Sequence, residues 1–483
     1  MFSKYSCTIE PGDLVHIEVL GRHIVFVNSI RVANDLFEKR SANYSDRNAL
    51  PMINDGTGHL DICRTADLWV TGGDRWRAHR KMFHTQFQPS SVSQFWPIQL
   101  KEAHAILRRL LDEPDALIDH LRLNAASSIM KVVYGIDVVP KDDYYVTIAE
   151  RALDGMAKAA SPGAFLVDIL PILKYVPAWF PGASFQKKAK EWKKVTLEMR
   201  DAPFNSVAAS MVAEGTASPC FVSNLLNDID TDAVSQREII KGCAGLAYAG
   251  GCPHAVSSLS CFVLAMVLYP EVQSKAQAEL DRVVGDKRLP VFSDRDSLPY
   301  IDALVKEVLR CVCISSRPTY SRCRWNPVAP LGLPHMATND DEYNGYFIPA
   351  GTTVIGNTWT IFHDPEMFPH PERFSPERFL RMPHPKDPGA KLDPNVDPVS
   401  PAFGYGRRIC PGRFMAEGHL WIHIASILSV FNIRQAVDVF GQRIKVEALF
   451  DTGMISHPLP FKCEIVPRSK AAQALIEQTA LLS

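Results

Sequence analysis

The sequence of 483 residues lacks several features that define whole classes of protein. Its formal net charge is −1, so a nucleic acid partner is not expected, because phosphate binding needs a strongly basic chain or face. No Gly/Ser-rich linker, low-complexity run or internal repeat divides the chain. These absences favour a single domain over residues 1–483.

Signals for export and membrane insertion are also missing. No secretory signal precedes the first strand-like segment, and the 11 cysteines are too irregularly spaced for a disulfide framework, which favours a reducing compartment. We find no run of about 18 strongly apolar residues, and predict that the chain as given has no N-terminal membrane anchor. With 46% hydrophobic and 22% charged residues, it is expected to be globular, and either soluble or peripherally attached to a membrane.

Alternating, strand-like patterns occupy little of the sequence. Residues 13–28 alternate around Gly21 like a hairpin, and shorter strand-like pieces occur at 345–355 and 442–466. From about residue 90 to 269 the apolar periodicity is mostly helical. The predicted fold class is mainly α with small β-sheets.

An apolar, Pro-rich segment interrupts the helical pattern at residues 170–185. It contains Trp179 and Phe180 and is followed by the lysine cluster KKAKEWKK. Aromatic and aliphatic residues beside lysines are typical of a loop that contacts a membrane surface. An ordinary connection packed on the core is the alternative interpretation.

The strongest chemical signal is the segment FGYGRRICPG. Cys410 ends a Gly-rich loop directly before a helical pattern, so backbone N–H groups and the positive end of that helix would face its sulfur. We expect a lowered thiol pKa and a thiolate, which serves as a nucleophile or as a single axial ligand of haem iron. Arg408 would meet a carboxylate of the macrocycle. Three glycines would allow the backbone to approach it closely, namely Gly404, Gly406 and Gly412.

The spacing of this loop resembles in full the haem-binding signature F-x-x-G-x-R-x-C-x-G of the cytochrome P450 family. The fixed positions are Phe403, Gly406, Arg408, Cys410 and Gly412. The resemblance implies a cytochrome P450 fold and heme b (iron protoporphyrin IX), with the Cys410 thiolate as its axial metal ligand. His419 and His423 lie four residues apart on the next helix, a spacing that zinc sites use, but core histidines are the simpler interpretation.

Two further motifs follow the order of the same family. The segment KEVLR contains Glu307 and Arg310, which fall on one helical face, and SPERF supplies Arg378. The resemblance implies that these three side chains form a buried network behind the cysteine loop. The alternative is a solvated surface contact worth less than about 1 kcal/mol.

The helical pattern GDRWRAHRKMF matches a W-x-x-x-R motif through Trp76 and Arg80. The resemblance implies that these two residues, together with Arg408 and His335, bind the haem propionates. The same pattern has a cationic set that is either a docking site for an acidic electron-transfer partner or a solvated face. That set is Arg75, Arg77 and Lys81.

The segment AYAGGCPHAVSS departs from the family. Its usual pattern, A/G-G-x-D/E-T-T/S, supplies an acid and an alcohol that pass protons to bound oxygen. This chain keeps Gly250 and Gly251 but has Pro253 at the acid and His254 at the alcohol. Three interpretations are open. His254 is a substitute proton donor with a pKa of about 6.5, or the loss is tolerated; His254 is a sixth iron ligand that blocks oxygen; or the sequence contains an error.

Residues 311–324, CVCISSRPTYSRCR, separate KEVLR from WNPVAPLGLPH. Removing them would restore the usual family pattern, so we interpret them as an atypical insert, either an extra loop or a translated intron remnant. Residues 55–72 also match the family poorly, where substrate contacts usually lie.

The resemblance implies a haem-thiolate monooxygenase, similar to fungal members of secondary metabolism, that oxidises a small apolar organic substrate with O₂. Electrons would come from NADPH through a separate cytochrome P450 reductase, because no nucleotide-binding glycine motif is visible. The implied location is the cytosolic face of the endoplasmic reticulum membrane. The alternatives are a P450-like isomerase, dehydratase or peroxide-dependent enzyme, and a catalytically impaired haem-binding protein.

Overall fold

The computed structural model describes most of the chain. The described residues are 12–48, 50–54, 73–160, 163–214, 218–229, 233–310, 327–380, 397, 399–451 and 454–482. The predicted insert at 311–324 and the poorly matching residues 55–72 lie outside them.

Helices dominate the described residues, as predicted. In chain order the α-helices are α1 (Ile30–Ala33), α2 (Ser41–Tyr44), α3 (Pro51–Asn54), α4 (Asp74–Phe87), α5 (Pro89–Val92), α6 (Trp96–Asp112), α7 (Leu117–Tyr134), α8 (Tyr144–Ala160), α9 (Leu166–Ile169), α10 (Ser184–Glu214), α11 (Phe221–Asn227), α12 (Val234–Leu268), α13 (Pro270–Val283), α14 (Pro299–Arg310), α15 (Thr358–Phe362), α16 (Val399–Ala402), α17 (Arg413–Val430) and α18 (Lys470–Gln478).

The sheets are small, and their strands include segments near both ends of the described chain. The strands are β1 (Leu14–Val19), β2 (Arg22–Val27), β3 (His335–Met336), β4 (Asp341–Tyr343), β5 (Tyr346–Ile348), β6 (Thr353–Gly356), β7 (Phe431–Gln435) and β8 (Cys463–Pro467). One sheet has the order β1-β2-β6-β3, and β4 pairs with β5 and β7 with β8. The hairpin predicted at residues 13–28 is confirmed by the antiparallel pairing of β1 and β2. The predicted class, mainly α with small sheets, is confirmed.

Helix α12 is 35 residues long and contains Pro253 without a break in the helix. It packs against α7, α10 and α17. By length and composition it is apolar enough to cross a membrane, which corrects the prediction that the chain has no such run. Because 67% of its most apolar window is buried, it has the character of a core helix.

The largest cluster of buried apolar residues joins α12 to α6, α14 and α17. Helix α14 carries the predicted Glu307–Arg310 pair, and α17 begins three residues after Cys410. The core therefore fixes α12, α14 and α17 relative to one another, and these helices carry or adjoin the predicted site residues.

Candidate active site

The loop that carries Cys410 is closed by backbone hydrogen bonds and packed on a distant segment. The Cys410 N–H donates to the Phe403 carbonyl oxygen at 2.8 Å. The Gly406 N–H donates to Glu38 Oε1 at 2.8 Å. Gly406 has a φ of +57°, and a Cβ there would lie 2.0 Å from the Phe37 carbonyl oxygen. Gly406 is therefore needed for contact with the segment around Phe37.

The Cys410 sulfur faces an internal space at the start of α17. Cys410 is partly accessible although protein atoms surround it. Its Sγ lies close to Gly412, since a Cβ added there would be 3.9 Å from the sulfur. Burial raises the pKa of the Cys410 thiol, while the Gly412 N–H and the charges of Arg80 and Arg413 lower it by less. The prediction that the polypeptide alone favours the thiolate is wrong, because desolvation outweighs these groups.

Cationic side chains from three distant segments meet beside this loop. The Arg408 guanidinium lies 4.5 Å from the centroid of the Trp76 ring, and its Nε donates to the Ser45 carbonyl oxygen at 2.7 Å. Arg80 donates to the Ile409 carbonyl oxygen. Burial lowers the pKa of Arg408 to about 10 and also lowers that of Arg80. The structure thus brings Trp76, Arg80 and Arg408 together as the sequence predicts, in surroundings that penalise positive charge.

His335 lies in the same cluster as a neutral ring. Its Nδ1 is 2.6 Å from the Tyr44 carbonyl oxygen, which can only accept, so the proton is on Nδ1. Burial first, and then Arg47 and Arg408, hold the pKa of His335 well below its usual value. As it stands, Nε2 presents a lone pair rather than a donor. A carboxylate bound nearby would raise the pKa and make Nε2 a donor.

Arg47 belongs to this cluster and was missed by the sequence analysis. It is only 3% exposed, and its Nη1 donates to the carbonyl oxygens of Leu333, at 2.7 Å, and Pro334. Burial, followed by Arg408, lowers its pKa to about 9. Its Nε has no hydrogen-bond partner among the described residues. No local signal marked this arginine, because its partners lie 286 or more residues away along the chain.

The structure brings Glu307, Arg310 and Arg378 into one network. Arg310 donates to the two Glu307 carboxylate oxygens at 2.8 and 2.9 Å, and both side chains are 0% exposed. Arg378 Nε lies 3.2 Å from Glu307 Oε2, and the Ser375 N–H donates to Oε1 at 2.8 Å. Arg310 Nη1 also donates to the Phe362 carbonyl oxygen at 3.0 Å. The carboxylate therefore joins α14 to the segment around Ser375.

The two retained glycines of α12 have different surroundings. A Cβ at Gly250 would meet no atom within 4 Å, whereas one at Gly251 would lie 3.2 Å from Ile129 Cδ1. Pro253, one turn further on, leaves the Ala249 carbonyl without its helical N–H donor. Open space is thus adjacent to Gly250, in agreement with the predicted groove, but not to Gly251.

His254 is held by its own helix. Its Nδ1 is 2.7 Å from the Gly250 carbonyl oxygen. The ring is accessible even though protein atoms surround it, so it faces an internal space. Burial, and secondarily His457, lowers the pKa of His254 below its usual value. The prediction of an ordinary imidazole pKa suited to proton transfer near neutrality is wrong.

Comparison with known proteins identifies the family of this chain. The sequence model of the Cytochrome P450 family matches residues 2–461. The chain belongs to this family. It is 43% identical over 470 residues to a cytochrome P450 monooxygenase of Armillaria gallica, with 96% of this chain and 87% of that protein covered.

Two further P450 relatives are similar over nearly the whole chain. Cytochrome P450 monooxygenase 98 of Postia placenta is 42% identical, covering 96% of this chain and 85% of that protein. Tryptamine 4-monooxygenase of Psilocybe cyanescens is 39% identical, covering 95% and 86%. The chain is thus an enzyme of the cytochrome P450 monooxygenase class, which uses haem with an axial cysteine thiolate. The predicted family, enzyme class and cofactor are confirmed.

The described residues of this P450 fit haem on two observations. The Cys410 sulfur opens onto an internal space, where it can reach a metal. Beside it lie the buried Arg47 and the partly buried Arg80 and Arg408, and burial lowers the pKa of all three. The two carboxylates of haem would offset this positive charge.

The buried histidines of α17 do not form a second metal site. His419 and His423 stack with ring centroids 4.0 Å apart, and His423 Nδ1 lies 2.7 Å from the His419 carbonyl oxygen. Among the described residues, no group of three or more His, Cys, Asp or Glu side chains is arranged to hold a metal ion. Both are core histidines, the simpler of the two interpretations.

Proposed function

We propose that this P450 inserts one atom of O₂ into a small apolar organic substrate of secondary metabolism, within a single domain over residues 1–483; the fungal relatives named as monooxygenases support this reaction type. The observation that carries the proposal is the Cys410 sulfur, which faces an internal space at the start of α17 beside the partly buried Arg80 and Arg408 and the buried Arg47. Haem bound there supplies the redox chemistry that reduces the second oxygen atom to water.

The chain's own residues would hold the cofactor. Cys410 would supply the thiolate ligand, and the Gly412 N–H donates to its sulfur. The propionates would be bound by a set that includes Arg47 in addition to the predicted residues, namely Trp76, Arg80, His335 and Arg408. Glu307, Arg310 and Arg378 support the loop from behind, and Phe403 and Gly406 fix its backbone through the contacts described above.

Replacement of the sulfur tests this assignment. Cys410→Ser should abolish the thiolate-specific absorption of the reduced, carbon monoxide-bound protein, because serine is not a soft ligand. Cys463→Ser, on β8, is the matched control and should leave the spectrum unchanged, since that thiol lies on a different element. Survival of the thiolate spectrum in Cys410→Ser would refute the assignment.

Electron delivery would use NADPH-cytochrome P450 reductase. Arg75, Arg77 and Lys81 are exposed on α4, the helix that also carries Arg80. Arg77 pairs with the exposed Asp74, so part of this charge is offset locally. Charge reversal by Lys81→Glu should slow reduction at low salt and have less effect at high salt. An equal reduction rate in both proteins would argue against docking at α4.

Attachment to the cytosolic face of the endoplasmic reticulum membrane would be peripheral. Trp179 is 80% exposed and Phe180 52%, and nearby Leu166, Ile172 and Tyr175 are exposed as well. Exposed aromatic and aliphatic side chains beside lysines favour contact with the boundary between headgroups and acyl chains. Trp179→Ser with Phe180→Ser should weaken co-sedimentation with anionic vesicles, and unchanged co-sedimentation would contradict the contact.

A peroxide-dependent, isomerase or dehydratase reaction is the second candidate. It is favoured by the segment of α12 around His254. Pro253 cannot carry a proton there, and the Nδ1 proton of His254 is bound to a carbonyl oxygen. Turnover with hydrogen peroxide but not with reductase and NADPH would support a peroxide-dependent enzyme. An absence of turnover in a haem-loaded protein would favour a catalytically impaired one.

A further inference from the structure

The tautomer of His254 is fixed by its hydrogen bond. The Gly250 carbonyl oxygen, 2.7 Å from Nδ1, can only accept, so Nδ1 carries the proton and Nε2 carries a lone pair. A proton that entered at Nε2 could leave only from Nδ1, toward a carbonyl oxygen that cannot pass it on. His254 is therefore a hydrogen-bond acceptor in this conformation and not a link in a proton relay.

The position of this acceptor is defined by two segments. The His254 ring faces an internal space. Gly250, one turn earlier, also has open space where a side chain would stand. One turn later, buried Ser257 donates from Oγ to the Ser456 carbonyl oxygen and so ties the C-terminal segment to α12. This bond holds His457 near enough to influence His254.

His457 is in turn bound to Asp451. Its backbone N–H donates to Asp451 Oδ1 at 2.8 Å, and its Nδ1 lies 3.5 Å from Oδ2. Both side chains are partly exposed. A neutral acceptor on α12 thus lies near an imidazole and a carboxylate on the neighbouring segment.

We propose that His254 Nε2 accepts a hydrogen bond from an O–H or N–H group of the substrate, and so selects apolar molecules that carry one such donor. This inference rests on the proposed function, because it assigns His254 to the substrate space of a haem-loaded enzyme. A molecule of the same shape without the donor would leave Nε2 desolvated and unpaired, which weakens binding.

The test compares two probes that differ in one donor, 2-naphthol and 2-methoxynaphthalene. Their dissociation constants are measured by calorimetry with the haem-loaded wild-type protein, His254→Phe and His254→Gln. The wild type should prefer 2-naphthol, and His254→Phe should reduce that preference about tenfold. His254→Gln keeps an acceptor and should keep the preference. Comparing the ratio of the two constants between the wild type and each variant cancels the effect of the added methyl group, which is common to all three proteins.

Two results would overturn the inference. One is an equal preference in the wild type and His254→Phe. The other is a nitrogen-ligated ferric spectrum in the wild type that His254→Phe abolishes, because Nε2 would then bind iron. Failure of all three proteins to take up haem would instead overturn the proposed function, so the two failures are distinguishable.

Discussion

The Glu307 network of α14 and the segment of α12 around His254 are held in different ways. Glu307 accepts from Arg310, from Arg378 and from the Ser375 N–H, all supplied by residues that are fixed by further bonds. His254, by contrast, bonds to a carbonyl of its own helix and faces open space.

This difference explains where the chain keeps the family pattern and where it departs. A change in the Glu307 network would leave a buried charge unpaired, which is costly. A change beside Gly250 meets no neighbouring atom and alters what the space can bind, not how the chain folds. We therefore expect loss of a side chain from the Glu307 network to destabilise the fold strongly, and changes of side chain at positions 250 and 254 to act mainly on ligand binding.

The largest effect is expected from Glu307→Ala. It leaves Arg310, which is 0% exposed, without its carboxylate partner, and should lower the free energy of unfolding by about 3–5 kcal/mol. Urea unfolding of the haem-loaded protein measures the change. The control is Asp154→Ala, which breaks the pair with Lys158 in which both side chains are 60% exposed. That variant should lose less than about 0.5 kcal/mol. Similar losses in both would contradict the comparison.

Acidification should also lower stability through the buried histidines of α17. Burial lowers the pKa of His423 to about 4, against an ordinary value of 6.5, and His419 shifts in the same direction. The unfolded chain therefore takes up protons first, so the free energy of unfolding falls as pH drops from 6.5 to 4. His423 alone accounts for about 3 kcal/mol.

Urea unfolding at several pH values measures this dependence. His423→Gln should flatten the pH profile, because it removes the titrating ring. His84→Gln, at an exposed position on α4, is the matched control and should leave the slope unchanged. A profile with the same slope in His423→Gln and the wild type would show that other groups dominate.

Contacts between residues of one motif could be predicted from the sequence, whereas contacts between segments far apart along the chain could not. Glu307 and Arg310 are three residues apart on one helix, so their contact follows from helical spacing. The reason for Gly406 could not be predicted, because Phe37 is far away along the chain. The Cys410 pKa was misjudged for a related reason. The helix start is visible in the sequence, but the burial that outweighs it depends on the whole fold.

Pro253→Ala tests whether the departure in α12 is costly to the fold. Alanine restores the N–H donor to the Ala249 carbonyl, and a proline within a helix costs about 3 kcal/mol. We expect a gain of about 1–3 kcal/mol in the free energy of unfolding. Pro203→Ala, at the proline inside α10, is the matched variant and should give a gain of similar size. A loss of stability in Pro253→Ala alone would mean that the surrounding residues require proline.

The smallest effect is expected from Gly250→Ala. The added methyl group meets no atom within 4 Å, and alanine favours a helix over glycine by about 0.5–1 kcal/mol, so unfolding should become slightly less favourable. Thermal unfolding of the haem-loaded protein measures it. Gly406→Ala makes the same change beside Cys410, where the methyl group would lie 2.0 Å from the Phe37 carbonyl oxygen at a φ of +57°. There we expect a marked loss of stability and of haem. If Gly406→Ala were as stable as Gly250→Ala, the methyl group would have room at both positions, which would contradict the close contact between Gly406 and Phe37.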